Sequence, residues 1–123
     1  MRDDRRALGA EGEARAAAHL ERRGYRVIDR NVRAGGVELD LVATRARLVV
    51  FVEVKTRRGR RHGPAEDAVD ALKRARLVRG AAAWLRSHDV RPSRVRFDVI
   101  AVEARPNGEF ALRHLEGAFD AGG

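Results

Sequence analysis

Hydrophobic positions along the chain switch between a period of about 3.6 residues and a period of two, and seven elements follow from those switches. Residues 4–23, "DRRALGAEGEARAAAHLERR", predict a helix closed by Gly24, a residue suited to the left-handed turn after a helix. "YRVIDR" (25–30) predicts a short strand and "NVRAGG" (31–36) a turn. "VELDLVA" (37–43) alternates strictly and "LVVFVEVK" (48–55) is a near-continuous β run, so the two predict a hairpin through "TRAR". Residues 64–88 open with Pro64 and are apolar at helical spacing, with Gly80 as a weak point. "RVRFDVIAVE" (94–103) predicts an alternating strand, "PNG" (106–108) a turn and "EFALRHLEG" (109–117) an edge strand. The order α-β-β-β-α-β-β predicts an α/β protein with a mixed sheet flanked by helices. No repeat or linker interrupts it, and 123 residues suit a single domain spanning 1–123.

Polar residues in apolar settings carry the functional signal. Along 37–43, alternation puts Val37, Leu39, Leu41 and Ala43 on one face and Glu38, Asp40 and Val42 on the other. Taken alone, the acidic face is the wet side of an antiparallel strand. Along 48–55, Val49, Phe51, Glu53 and Lys55 share one face, and Leu48, Val50, Val52 and Val54 the other. Both faces stay apolar until the last three residues, which marks a central strand covered on both sides. Glu53 and Lys55 therefore stand at the edge of a dry sheet. Pairing of the two strands sets Asp40 beside Glu53, where two carboxylates repel and need a counter-charge. An ordinary acid–lysine pair at a strand end supplies one; a divalent cation supplies another. For the cation, Asp40, Glu53, the Val54 backbone carbonyl and waters form a hard oxygen set suited to Mg²⁺.

Glu13 is a third acid out of place, on a helical stripe with Gly9, Ala16, Ala17 and Leu20. Either the helix face is rotated and Glu13 is solvated, or it is buried and must be paired, protonated or ligated. Lys73 lies between Val69 and Leu77 on the second helix, where a lysine can bury its stem and extend its amine to water.

Composition adds a partner class. The chain has a net charge of +8, 44% hydrophobic and 36% charged residues, and no cysteine, which excludes disulfides and thiolate metal sites. Residues 1–63 carry 16 Lys and Arg against 9 Asp and Glu, while residues 64–123 carry 10 against 9. A positive field concentrated in one half suggests a polyanion such as nucleic acid; a GC-rich genome offers a purely compositional explanation. Only two of the 26 basic residues are lysines, Lys55 and Lys73, which suits sites needing a compact, deprotonatable amine. No run approaches the roughly 20 apolar residues of a membrane span, and the N-terminus has no signal-peptide core, so a cytoplasmic protein without membrane partners is expected. Phosphate-loop, dinucleotide-binding, HExxH and GxSxG motifs are missing. His19, His62, His88 and His114 do not share metal-ligand spacing and read as surface residues, with His62 in a basic loop.

Asp40 followed by Glu53-Val54-Lys55 gives D-x12-E-x-K, a pattern that resembles the PD-(D/E)XK nuclease superfamily. The wider context is more specific. "GAEGEARAAAHLERRGYRVIDRNVRAGGVELDLVA", "VVFVEVKTRRGRRHGPAEDAVDALKRARL" and "RFDVIAV" resemble the small bacterial YraN-type family over residues 9–115, a branch similar in fold to Holliday-junction resolvases. Leu39 stands where the superfamily name has Pro, and Val37 where these relatives usually have Gly. The resemblance implies a restriction-endonuclease-like αβββαβ core. It implies Mg²⁺, with Mn²⁺ as an alternative, on Asp40 and Glu53. It further implies Lys55 orienting or activating the attacking water, Glu13 as the first-helix acid beside the metal, and Lys73 as an auxiliary residue. Arg57, Arg58, Arg60 and Arg61 then suit positioning of phosphates, because they lack interleaved aromatics that would stack on bases.

The reading that follows is a Mg²⁺-dependent DNA endonuclease, acting on branched or structured DNA. Its main rival is a catalytically inactive nucleic-acid-binding module of the same fold; a basic protein–protein adaptor is a third option. Resolvase-like relatives pair as homodimers, but no dimer face stands out in this sequence.

Overall fold

A computed structural model describes residues 2–59 and 70–119, with side chains from residue 5. The elements are α1 (Arg2–Arg22), β1 (Arg26–Ala34), β2 (Val37–Arg45), β3 (Leu48–Arg58), α2 (Ala71–Ser87), β4 (Arg94–Ala104) and β5 (Phe110–Phe119). The five strands form one sheet in chain order, β1-β2-β3-β4-β5. All neighbours are antiparallel except β3 and β4, whose parallel pairing requires the crossover that contains α2. This is the α/β arrangement expected from the sequence: αβββαβ, with β5 added as an edge strand.

Two apolar layers hold the sheet. On one face Ala16, Ala17 and Leu20 of α1 pack on Leu41, Ala43, Val50, Val52 and Ile100. On the other, Leu77, Ala81 and Trp84 of α2 pack on Leu39, Val42, Val49, Phe51 and Val99. Every residue of β3 from Leu48 to Glu53 is buried, because this strand lies under a helix on each face. No described helix is long and apolar enough to cross a membrane.

Several local expectations are corrected. β1 continues through "NVRA" to Ala34, and the turn shrinks to Gly35 and Gly36, whose φ values of 59° and 77° suit a tight reversal. Gly80 does not break α2. A Cβ there would stand 3.1 Å from Leu39 and Val37 side-chain atoms, so the glycine lets the helix lie close on the β1–β2 pair. The helix expected from residue 64 begins at Ala71, with Asp70 as its cap; residues 64–69 lie outside the described residues.

The strict alternation expected along 37–43 is broken. Val37 and Leu39 pack with the α2 layer, whereas Leu41 and Ala43 pack with the α1 layer. The change of face falls at Asp40. Across the sheet, Asn31 adopts a φ of 48° between the β1 partners of Leu39 and Leu41.

The expectation that the histidines are surface residues fails for two of them. Asp98, 1% exposed, accepts hydrogen bonds from Arg96 Nε and Nη2 (both 2.8 Å), His114 Nε2 (2.7 Å) and the Gly117 N–H (3.0 Å). Arg96 also donates to the Tyr25 hydroxyl at 2.7 Å. His114 Nδ1 lies 3.1 Å from His19 Nε2. A proton on His114 Nε2, facing the carboxylate, leaves Nδ1 of the neutral ring as an acceptor, so His19 Nε2 donates. Burial pushes the Asp98 carboxyl up, but the bonds from His114, Arg96 and Gly117 outweigh it and hold the pKa below the ordinary value. This chain of polar groups ties α1, the start of β1, β4 and β5 together.

Candidate functional site

The site begins where β2 and β3 part. Their ladder runs from Arg45↔Leu48 to Leu41↔Val52 and stops. One step further, Asp40 Oδ2 accepts the Val54 N–H at 2.8 Å, so a side chain takes a backbone donor that the ladder leaves unpaired. The bend that moves Leu39 to the other face thus turns the Asp40 carboxylate toward β3, beside Glu53.

Glu53 remains 8% exposed, at the last buried position of β3. Its Oε1 lies 2.5 Å from Lys73 Nζ, and Lys73 is 37% exposed. Lys73 sits in the first turn of α2, where the Asp70 cap accepts its N–H at 2.9 Å. A cation in a first turn opposes the helix dipole, and α2 has no acid there to offset it. Lys73 therefore gains from its partner on β3 rather than from its own helix, which corrects the expectation of a lysine merely extending to water.

Asp40 has its pKa raised to about 7, first by burial and then by Glu53, with a further contribution from Glu13; the Val54 N–H and Lys73 oppose the shift. Glu13 is half-buried on α1, and its field reaches Asp40. Asp40 and Glu53 thus stand side by side, Glu13 acts on Asp40 through its field, and Lys73 pairs with Glu53.

Gly12, which the sequence reading passed over, makes this convergence possible. A Cβ at Gly12 would collide with Oγ1 of Thr56 on β3. The helix approaches the strand end closely only because residue 12 has no side chain, and that approach sets the next residue, Glu13, near Asp40. The available signal was a glycine inside an alanine-rich helical run. Gly12→Ala is expected to lose about 1–3 kcal/mol despite alanine's better helix propensity. A lower urea midpoint checks this; an unchanged midpoint would contradict the close approach.

Lys55 is half-exposed and, among the described residues, takes part in no ion pair. It lines a cleft of about 720 Å³ with Arg5, Leu8, Gly9, Thr56, Arg57 and Arg58. A second cleft of about 720 Å³ contains Asp40, Glu53, Lys73, Glu38, Arg76 and Arg79. Arg57 and Arg58 thus adjoin the site at the end of β3, whereas Arg60 and Arg61 lie outside the described residues. Among the described residues no three His, Cys, Asp or Glu side chains are grouped so that they could hold a metal ion. The donors that fit a hard cation are two carboxylates and the Val54 carbonyl, a set that Mg²⁺, which usually keeps several waters, does not need enlarged.

Comparison with known proteins gives the chain its relatives. A model of the family described as "Uncharacterised protein family UPF0102" matches residues 12–102. A UPF0102 protein of Symbiobacterium thermophilum is 47% identical over 116 residues, covering 94% of this chain and 98% of the relative. One from Syntrophotalea carbinolica is 44% identical over 123 residues, covering 100% and 99%. One from Frankia alni is 49% identical over 113 residues, covering 92% and 94%. Among solved structures, Pyrococcus furiosus SfsA in complex with Ca²⁺ gives a TM-score of 0.40 at 17% identity, over 85% of this chain and 58% of that one. That likeness is too distant to carry an argument. The family match and the full-length relatives agree with the YraN-type resemblance of the sequence, and the chain belongs to the UPF0102 family.

Proposed function

We propose that this protein is a Mg²⁺-dependent endonuclease that hydrolyses phosphodiester bonds in DNA, with branched or structured DNA as its substrate. The observation that carries the reading is the Asp40–Glu53 pair. Two carboxylates are brought together at the end of the central strand, and their repulsion and burial raise Asp40 to about 7. A purely structural strand end gains nothing from that arrangement.

Asp40, Glu53 and the Val54 carbonyl would hold the cation, for which Mn²⁺ is a plausible substitute. Bound there, it would supply positive charge at the scissile phosphate and acidify a water. The protein's own groups supply the rest. Lys55 carries an ammonium at the mouth of the site, able to hydrogen-bond the attacking water or a non-bridging phosphate oxygen. Glu13 adds negative potential on the α1 side, favouring the cation over a lone proton. Lys73 holds Glu53 through Oε1, which leaves Oε2 for a metal. Arg57 and Arg58 follow on the same strand and suit phosphates flanking the one attacked.

A second reading, a nucleic-acid-binding module without catalysis, draws on the closed Lys73–Glu53 pair and on the lack of a third close ligand among the described residues. One assay separates the two. Labelled duplex, forked and four-way DNA are incubated with Mg²⁺ or Mn²⁺, beside Lys55→Ala. The endonuclease cuts at least one substrate, and the variant loses about 100-fold or more. If nothing is cut, or if the variant cuts equally well, the catalytic reading falls. Salt-sensitive, metal-independent binding that survives Asp40→Ala would then establish the module.

A further inference from the structure

The geometry points to the cleft between α1 and the end of β3 as a backbone-phosphate site for the nucleic acid, with Arg5 as a contact not foreseen in the sequence, beside Lys55, and Arg76 of α2 holding the strand on the opposite side of the carboxylates. This inference rests on the nucleic-acid reading above and adds where the substrate runs.

Of the seven described residues lining the cleft, four are cations, Arg5, Lys55, Arg57 and Arg58, and none of the seven is an acid. They come from two elements, so the charge is not a run on one solvated face. The cleft exists because β3 outlasts its neighbour: pairing with β2 ends at Val52, whereas pairing with β4 continues to Arg58. The strand end therefore projects past β2 with α1 beside it. Gly9 forms part of the wall, and a Cβ there would meet nothing within 4 Å, so the space is open to a ligand.

Its position relative to the acids fixes what it can hold. Lys55 is two residues beyond Glu53 and Arg58 five, or about 7 to 17 Å at about 3.3 Å per strand residue. Phosphates on one strand of a duplex advance about 3.4 Å each along the axis. Lys55 thus stands nearest the phosphate at Asp40 and Glu53, and the arginines reach phosphates further along the same backbone. On the other side, Arg76 is exposed and lines the cleft that contains both acids. A chain gripped on both sides of the carboxylates presents an internal bond rather than an end.

Binding of fluorescent duplex DNA, followed by anisotropy without divalent cation over a series of salt concentrations, tests this apart from cleavage. Arg5→Ala and Arg76→Ala should each weaken binding several-fold and lower the salt slope by about one. Gly9→Leu fills the cleft, keeps every charge and favours the helix, and it should weaken binding at least tenfold. Arg94→Ala, an exposed arginine paired with Leu48 at the far end of β3, should bind as the unmodified protein does. If the unmodified protein binds while Arg5→Ala and Gly9→Leu bind equally well, the cleft assignment is overturned and the nucleic-acid reading stands. If the unmodified protein binds no DNA at low salt, both fall.

Discussion

Replacing Asp40 by Asn is expected to make the metal-free protein more stable above pH 7 and to remove its stabilisation by Mg²⁺. In the folded chain the Asp40 pKa is raised from 3.8 to about 7. The folded state therefore holds this proton more tightly than the unfolded state. The stability that it contributes is present below about pH 4 and is lost as pH rises through 7. The shift corresponds to at most about 4 kcal/mol, so a gain of about 2–4 kcal/mol at pH 8 and almost none at pH 4 is expected for the variant. Asn keeps an oxygen for the Val54 N–H, so the gain reflects the missing charge rather than a new contact. Mg²⁺ should stabilise the unmodified protein by about 2.7 kcal/mol at a hundred times its Kd, and should leave Asp40→Asn unmoved. Urea unfolding at both pH values, with and without Mg²⁺, checks each part. A variant less stable than its parent at pH 8 would contradict the account of the carboxylate pair.

Asp98→Asn should have the opposite effect on stability and little direct effect on the site. It removes the charge that pairs with Arg96 and His114 in a setting 1% exposed to solvent. Breaking one partner of such a group typically costs about 3–5 kcal/mol, and here Arg96 keeps only the Tyr25 hydroxyl and the half-exposed Glu116, 3.5 Å away, in place of the buried carboxylate. That is a large share of the 5–15 kcal/mol of an ordinary small protein. The pH dependence has its own sign. The Asp98 pKa is depressed, so its stabilisation is present above about pH 4 and is lost as pH falls through the folded value. The His19 pKa is lowered by burial first and then by His114, so protonating it also opposes folding, below about pH 6.5. The variant should unfold at much lower urea near pH 7 and lose much of the acid-side slope. An unchanged midpoint would mean that the network contributes no net stability.

The two-sided apolar run of β3 was legible in the sequence, and with it the central strand and the anomaly of Glu53. The element order followed from periodicity alone. The bend at Asp40 did not, because Leu39 and Leu41 are both apolar and a change of face between them leaves no mark in the pattern. The length of β1 was hidden for a related reason: of "NVRA" only Val32 and Ala34 pack on the core, between polar residues in a stretch that ends in two glycines and reads as a turn. Gly12 drew no notice in the sequence, and only the approach of Thr56 gives it a reason. His19 and His114 are 95 residues apart, so no local spacing could pair them. The acids of the site were visible as exceptions to a rule, whereas their counter-ion, Lys73, had a bland explanation on its own helix.

A crystal soaked in Mn²⁺ tests the central claim most directly, since manganese gives an anomalous signal that water and sodium do not. The expected result is one strong peak bonded to Asp40, Glu53 and the Val54 carbonyl. No peak at saturating Mn²⁺ would contradict a metal-dependent nuclease and leave Glu53 and Lys73 as a salt bridge at a strand end.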